Sequence, residues 1–76
     1  MEGELQRTFG RNLRRYREAR GISQEDFADV FKVHRTYIGG VERGERNLSL
    51  KSVERIAATI GADPVELLRG DGKLPG

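Results

Sequence analysis

Cysteine is absent from the chain, and with it go disulfides, thiolate metal sites and a thiol nucleophile. Histidine occurs once, as His34, which cannot build a histidine-based zinc site without carboxylate help. No uninterrupted apolar run exceeds three residues, so no segment reads as membrane-spanning. The acidic opening Met1-Glu2-Gly3-Glu4 is followed by no apolar stretch and does not read as a signal peptide, which leaves the cytoplasm as the expected location. Length is also scarce. The 76 residues suffice for one small domain, and such a domain buries only about 60% of the surface its unfolded chain exposes. Self-association is one remedy. A substrate cleft with catalytic groups and a supporting shell has no room here. The sequence therefore leads us to expect no enzymatic activity, no cofactor, no membrane partner and no small-molecule ligand.

What the chain has in quantity is charge. Charged residues make up 34% and apolar ones 36%, with a net charge of +2. Arginine outnumbers lysine eleven to three. Residues 1–20 hold six arginines against three glutamates, and residues 21–31 hold Glu25, Asp26 and Asp29 with no base. Residues 32–46 then bring Lys32, Arg35, Arg43 and Arg46 against Glu42 and Glu45. Two basic blocks thus flank an acidic segment. The planar fork of arginine suits bidentate contact with phosphate or guanine. A solvated, salt-bridged helical surface accounts for the charge equally well.

Apolar spacing divides the chain into five short helices. Leu5, Phe9, Leu13 and Tyr16 lie on one face of a helix over 4–20, which Gly21 ends. Ser23 caps a second over 24–31, with acids in its first turn and Phe27, Ala28 and Phe31 facing inward. A third runs from His34 or Arg35 to Arg43, with Ile38 and Val41 inward and Gly44 after its end. Ser49 caps a fourth over 50–60, with Leu50, Val53, Ile56, Ala57 and Ile60 on one face. Asp63-Pro64-Val65-Glu66 opens a fifth, with Val65, Leu67 and Leu68 as its apolar side. Residues 71–76 read as a flexible tail after a domain over 1–70. The predicted class is all-α.

Helices two and three, joined by a short turn, carry the functional signal. Ala28 is the small residue that lets them cross, and Ile38 and Val41 bury the inner side of the third. Its outer side would be Arg35, Thr36, Gly39, Gly40 and Arg43, suited to base edges and phosphates. A helical protein–protein module is the competing reading. Gly39-Gly40 stands out, because two mid-helix glycines cost about 1 kcal/mol each relative to alanine. At Gly40 no side chain would hold the helix away from a groove. His34 reads as an N-cap or backbone contact, and Ser23 and Ser49 as caps rather than nucleophiles.

Gln24-Glu25-Asp26-Phe27-Ala28, Arg35-Thr36-Tyr37-Ile38, Val41-Glu42-Arg43-Gly44, the serine-capped helix and Asp63-Pro64 together resemble the lambda-repressor-like (Cro/xenobiotic-response-element type) helix-turn-helix family. The stretch from His34 to Ser49 is similar to the controller proteins of restriction–modification systems. The resemblance covers about residues 8–69. It implies a homodimeric transcription regulator on a pseudo-palindromic DNA operator, associated with the nucleoid. An activating role would add RNA polymerase as a partner. Small autoregulatory repressors and antitoxins share the fold and stand as alternatives.

Roles follow from the resemblance residue by residue. Gln24 would touch a phosphate and brace the recognition helix. Arg35 and Thr36 would read bases, with His34 just before them and Gly40 in close approach. Tyr37 would lie against the sugar-phosphate backbone, and Arg43, Arg46 and Asn47 would hold phosphates. Arg17 and Glu42 would form a structural pair. The resemblance also places the dimer contact near helix five, at Val65, Leu67 and Leu68. One departure concerns the turn between helices two and three. Lys32 stands where a glycine is usual and Phe31 where a small residue is usual, which predicts an altered crossing.

Overall fold

Each of the five apolar-striped segments carries its own start and stop signals, and each becomes a helix. The computed structural model describes residues 3–70. Its helices are α1 (Glu4–Ala19), α2 (Gln24–Phe31), α3 (Arg35–Glu42), α4 (Leu50–Ile60) and α5 (Pro64–Leu67). No strand occurs among the described residues, and the tail expected over 71–76 lies outside them.

The starts of α2, α4 and α5 are set by side-chain caps. The Ser23 hydroxyl accepts from the Asp26 N–H at 3.1 Å and the Ser49 hydroxyl from the Ser52 N–H at 3.1 Å. The Asp63 carboxylate accepts from the Val65 N–H at 2.9 Å, with Pro64 in the first turn. Each satisfies a backbone donor that the helix itself leaves unpaired. Lysine accepts left-handed geometry less readily than glycine, yet it does so here. Lys32 takes left-handed geometry itself, at φ 58 and ψ 44, and closes α2 as a glycine would. The Val33 N–H then reaches the Ala28 carbonyl at 3.0 Å, which offsets part of the strain in Lys32.

Phe9, Leu13, Phe27, Ala28, Ile38, Val41, Val53, Ile56, Ala57 and Leu67 form one buried cluster. Four of these ten come from α2 and α3, so the pair is anchored from behind by α1 and α4. The closest approach is between α1 and α3. A Cβ placed on Gly10 would collide with the carbonyl oxygen of Val41 and lie 2.7 Å from that of Glu42. Just beyond α3, Gly44 sits at φ 75, and a Cβ there would be 2.8 Å from the Arg7 Cα.

Three apolar residues depart from the expected pattern. Leu5 and Leu50 were expected on core faces but are 64% and 78% exposed. Each lies in the first turn of its helix, at the rim of a cleft floored by Phe9, Leu48 and Val53 and closed by Leu68. Leu67, expected at the dimer contact, is fully buried in its own chain's core. The single turn of α5 points Leu67 inward and leaves Val65 58% exposed and Leu68 half-buried. Asn12 of α1 fixes that turn. Its buried amide donates to the carbonyls of Leu67 at 2.9 Å and Arg69 at 2.8 Å.

Candidate nucleic-acid interface

The start of α2 meets the end of α3, where Gln24 reaches Glu42, while the start of α3 follows the turn at the end of α2. At the head of α3 the His34 Nδ1 accepts from the Thr36 N–H at 3.0 Å, so His34 is the cap of that helix. Arg35 and Thr36 follow, both exposed. The Arg35 side chain has no ion-pair partner among the described residues. Its donors are free to meet an anionic or carbonyl-bearing surface.

At the other end of α3, a buried polar lock on its last residue, Glu42, fixes the helix. Arg17 Nε donates to Glu42 Oε2 at 2.7 Å, and Arg17 Nη2 donates to Glu42 Oε1 at 3.1 Å. The third arm of the guanidinium donates to the Ile22 carbonyl at 2.8 Å. Gln24, the first residue of α2, donates from Nε2 to Glu42 Oε1 at 3.0 Å. The side chains of Arg17 and Glu42 are 11% and 2% exposed. The hydrogen bond to Glu42 raises the Arg17 pKa above its ordinary value, against the opposing effect of burial. Such a bidentate pair contributes more to a single geometry than to net stability. Here it ties α1, α2 and α3 together at one point. Gln24 is thereby a brace, and it keeps a second amide hydrogen for an outside acceptor.

The outer side of α3 differs from the bare surface expected at Gly39 and Gly40. Both glycines are buried, because arginines from the end of α3 and the following loop fold back over them. A Cβ on Gly39 would meet Arg43 Nη1 at 3.0 Å, and one on Gly40 would meet Arg46 Cγ and Nε at 3.3 Å. The close approach expected at Gly40 is thus taken by Arg46. The reason is local. Side chains at the end of a helix lean back toward the preceding turn, and the two glycines leave the notch they fill. Arg43 Nε pairs with Glu45 Oε1 at 3.1 Å, with both side chains more than half exposed. The Arg46 guanidinium lies 5.0 Å from the centre of the half-buried Tyr37 ring.

The loop after α3 is held from α1. Gln6 Nε2 donates to the Arg46 carbonyl at 2.9 Å and to Asn47 Oδ1 at 3.2 Å. Sequence reasoning passed over Gln6, which lies outside every motif and meets its partners forty positions away. The arrangement brings Gln24, His34, Arg35, Thr36, Tyr37, Arg43, Arg46 and Asn47 to α3, its flanks and the facing end of α2. Val65 and Leu68 lie on the separate α5 edge. On α1, Arg14 pairs with Glu18 at 3.0 Å on the exposed face, as an ordinary surface pair. The α3 surface is rich in hydrogen-bond donors and arginine, carries aromatic support at Tyr37, and rests on a rigid base. Chemically it can hold phosphates and offer a bidentate donor to a base edge.

Comparison with known proteins points the same way. The Helix-turn-helix family profile matches residues 13–67. Control protein C.BamHI of Bacillus amyloliquefaciens is 39% identical over 69 residues, which is 90% of this chain and 85% of that protein. Control protein C.SmaI of Serratia marcescens is 36% identical over 69 residues, 91% of this chain and 82% of that one. The crystal structure of the restriction-modification controller protein C.AhdI from Aeromonas hydrophila superposes with a TM-score of 0.69. It is 44% identical to this chain and covers 80% of this chain and 92% of its own.

Proposed function

Because the chain belongs to the Cro/C1-type helix-turn-helix family, we propose that it is a sequence-specific DNA-binding transcription regulator of the controller kind, working as a homodimer on a pseudo-palindromic operator. The observation that carries this reading is the exposed first turn of α3, with the Arg35 side chain unpaired among the described residues, on a helix whose far end is fixed by the buried Arg17–Glu42–Gln24 lock. In this reading α3 enters the major groove by its first turn. Arg35 and Thr36 meet base edges there. Gln24, His34 and Tyr37 hold the adjoining backbone, and Arg43, Arg46 and Asn47 hold phosphates beyond the end of α3, the two arginines neutralising them.

The second copy belongs on the edge away from this surface. Leu5 and Leu50 are exposed there in one cleft with the half-buried Leu68, and Val65 is exposed on the same turn of α5 as Leu68. A two-fold dimer through Val65 and Leu68 sets two copies of α3 about 34 Å apart, one turn of the duplex. Association with the nucleoid and, for an activating role, contact with RNA polymerase follow from the same reading.

Selection of bound sequences from random duplex DNA gives the operator and supplies the test. Arg35→Ala then relaxes preference at one base pair in each half-site, at a cost of about 1–3 kcal/mol per lost bidentate contact. A uniform loss on every single-base operator variant would make Arg35 a phosphate contact instead. Affinity for the operator falls steeply with salt, with a slope of about −0.9 per phosphate neutralised. A flat salt response belongs to a protein–protein module and sinks the proposal.

A further inference from the structure

Three arginines, Arg35, Arg43 and Arg46, gather on α3 and the loop that follows it, and that loop carries one exposed carboxylate among them. Glu45 lies between Arg43 and Arg46 in the chain and pairs through Oε1 with Arg43 Nε at 3.1 Å. That pair does no evident work for the fold. Its partners are 58% and 62% exposed, and neither touches the core. Its effect is on where Arg43 points. With Glu45 holding Nε, the guanidinium lies back along α3 with Nη1 in the notch above Gly39. Arg46 lies beside it in the notch above Gly40, against the Tyr37 ring.

We propose that Glu45 is a built-in competitor for DNA phosphate. Its carboxylate occupies the guanidinium edge that a phosphate would use, and it keeps Arg43 folded over the recognition helix until DNA displaces it. The two glycines are the seat that makes this parked position available, since a side chain at 39 would push the guanidinium out. On DNA the pair exchanges: Arg43 moves from Glu45 to a phosphate oxygen, and the freed carboxylate is left facing a polyanion. Each step subtracts from affinity, and it does so for every DNA sequence alike. The result is a regulator with weakened non-specific binding, whose hold on its operator leans more on Arg35 and Thr36. This inference rests on the reading of Arg43 as a phosphate contact, and the experiment separates the two.

Binding of the full chain to the selected operator duplex and to a duplex of mixed sequence is measured for Glu45→Gln, Arg43→Ala and the double variant over a salt series. Arg43→Ala weakens binding to both duplexes and lowers the salt slope by about one per subunit. Glu45→Gln tightens binding to both, by up to about fivefold per subunit at low salt. The gain shrinks as salt screens the exposed pair, and most of it vanishes in the Arg43→Ala background. Unchanged or weaker binding by Glu45→Gln overturns the competitor role while leaving Arg43 on phosphate. An equal gain with and without Arg43 also overturns it, because Glu45 would then act only by repelling the duplex. Unchanged affinity and slope in Arg43→Ala would instead remove the phosphate role on which the inference stands.

Discussion

The inner and outer faces of α3 are both lined by glycine, and they behave as opposites. On the inner face Gly10 of α1 lies against the carbonyls of Val41 and Glu42, and Gly44 lies against the backbone of Arg7. Backbone faces backbone there, and the Arg17–Glu42 pair locks the same seam. On the outer face Gly39 and Gly40 are covered by the far ends of Arg43 and Arg46, which can swing away. The contrast shows that a helix glycine gets its meaning from what stands opposite it. Against fixed backbone it is a requirement of the fold. Against a flexible side chain it is a seat that the protein can vacate. A DNA reader needs both, since one face must hold the angle and the other must give way to its ligand.

The inner face should break hardest when its charge pair is halved. Arg17→Ala leaves Glu42 buried with Gln24 as its remaining side-chain donor, and unfolding stability falls by about 3–5 kcal/mol. A double-mutant cycle with Glu42→Leu on urea unfolding measures the coupling. The double variant recovers much of the loss, because two apolar groups leave no charge unpaired. Strict additivity would mean that the pair contributes nothing jointly.

Gly10→Ala comes next. The added methyl cannot fit without parting α1 from α3, which costs about 2 kcal/mol or more even after the better helix propensity of alanine is counted. Thermal unfolding reads this directly, and a variant as stable as the parent would place slack where the structure has none.

On the outer face the sign reverses. Gly39→Ala should raise stability by up to about 1 kcal/mol, since the helix gains and only the end of Arg43 must move. Loss of stability there would mean that the seated arginine is as firmly fixed as the inner seam, and the comparison would fail.

The edge around α5 gives the smallest effect on a single chain and a large one on assembly. Leu68→Asp should leave the helices formed while shifting sedimentation from dimer to monomer and lowering operator affinity, although no groove-facing residue has changed. A variant that stays dimeric and binds normally moves the interface elsewhere.

Much of this was legible in the sequence, for reasons that are local. Ser23, Ser49, Asp63 and Pro64 mark helix starts through bonds that span two or three positions, and Gly61 marks an end within one turn. Arg35 and Thr36 could be placed at the head of α3 because the inward positions Ile38 and Val41 fix the phase of that helix. The left-handed geometry of Lys32 was not legible, because propensity disfavours it for lysine. In the one-turn α5 no periodicity exists to choose between neighbouring leucines, and Leu67 rather than Leu68 went into the core.

Sequence alone determined the number of the helices, the caps of α2, α4 and α5, the phase of α3, the concentration of arginine around α3, and the class of ligand that such a surface suits. Those properties depend on residues within a turn or two of each other. Tertiary structure decided the rest. The Gln6 grip on Arg46 and Asn47, the Asn12 grip on α5 and the fit of Gly10 under α3 each join residues more than thirty positions apart. Whether Gly39 and Gly40 stand bare or roofed depends on the rotamers of two arginines. Helical periodicity carries no information about such meetings, because they are set by how whole helices pack and not by the order of residues along any one of them.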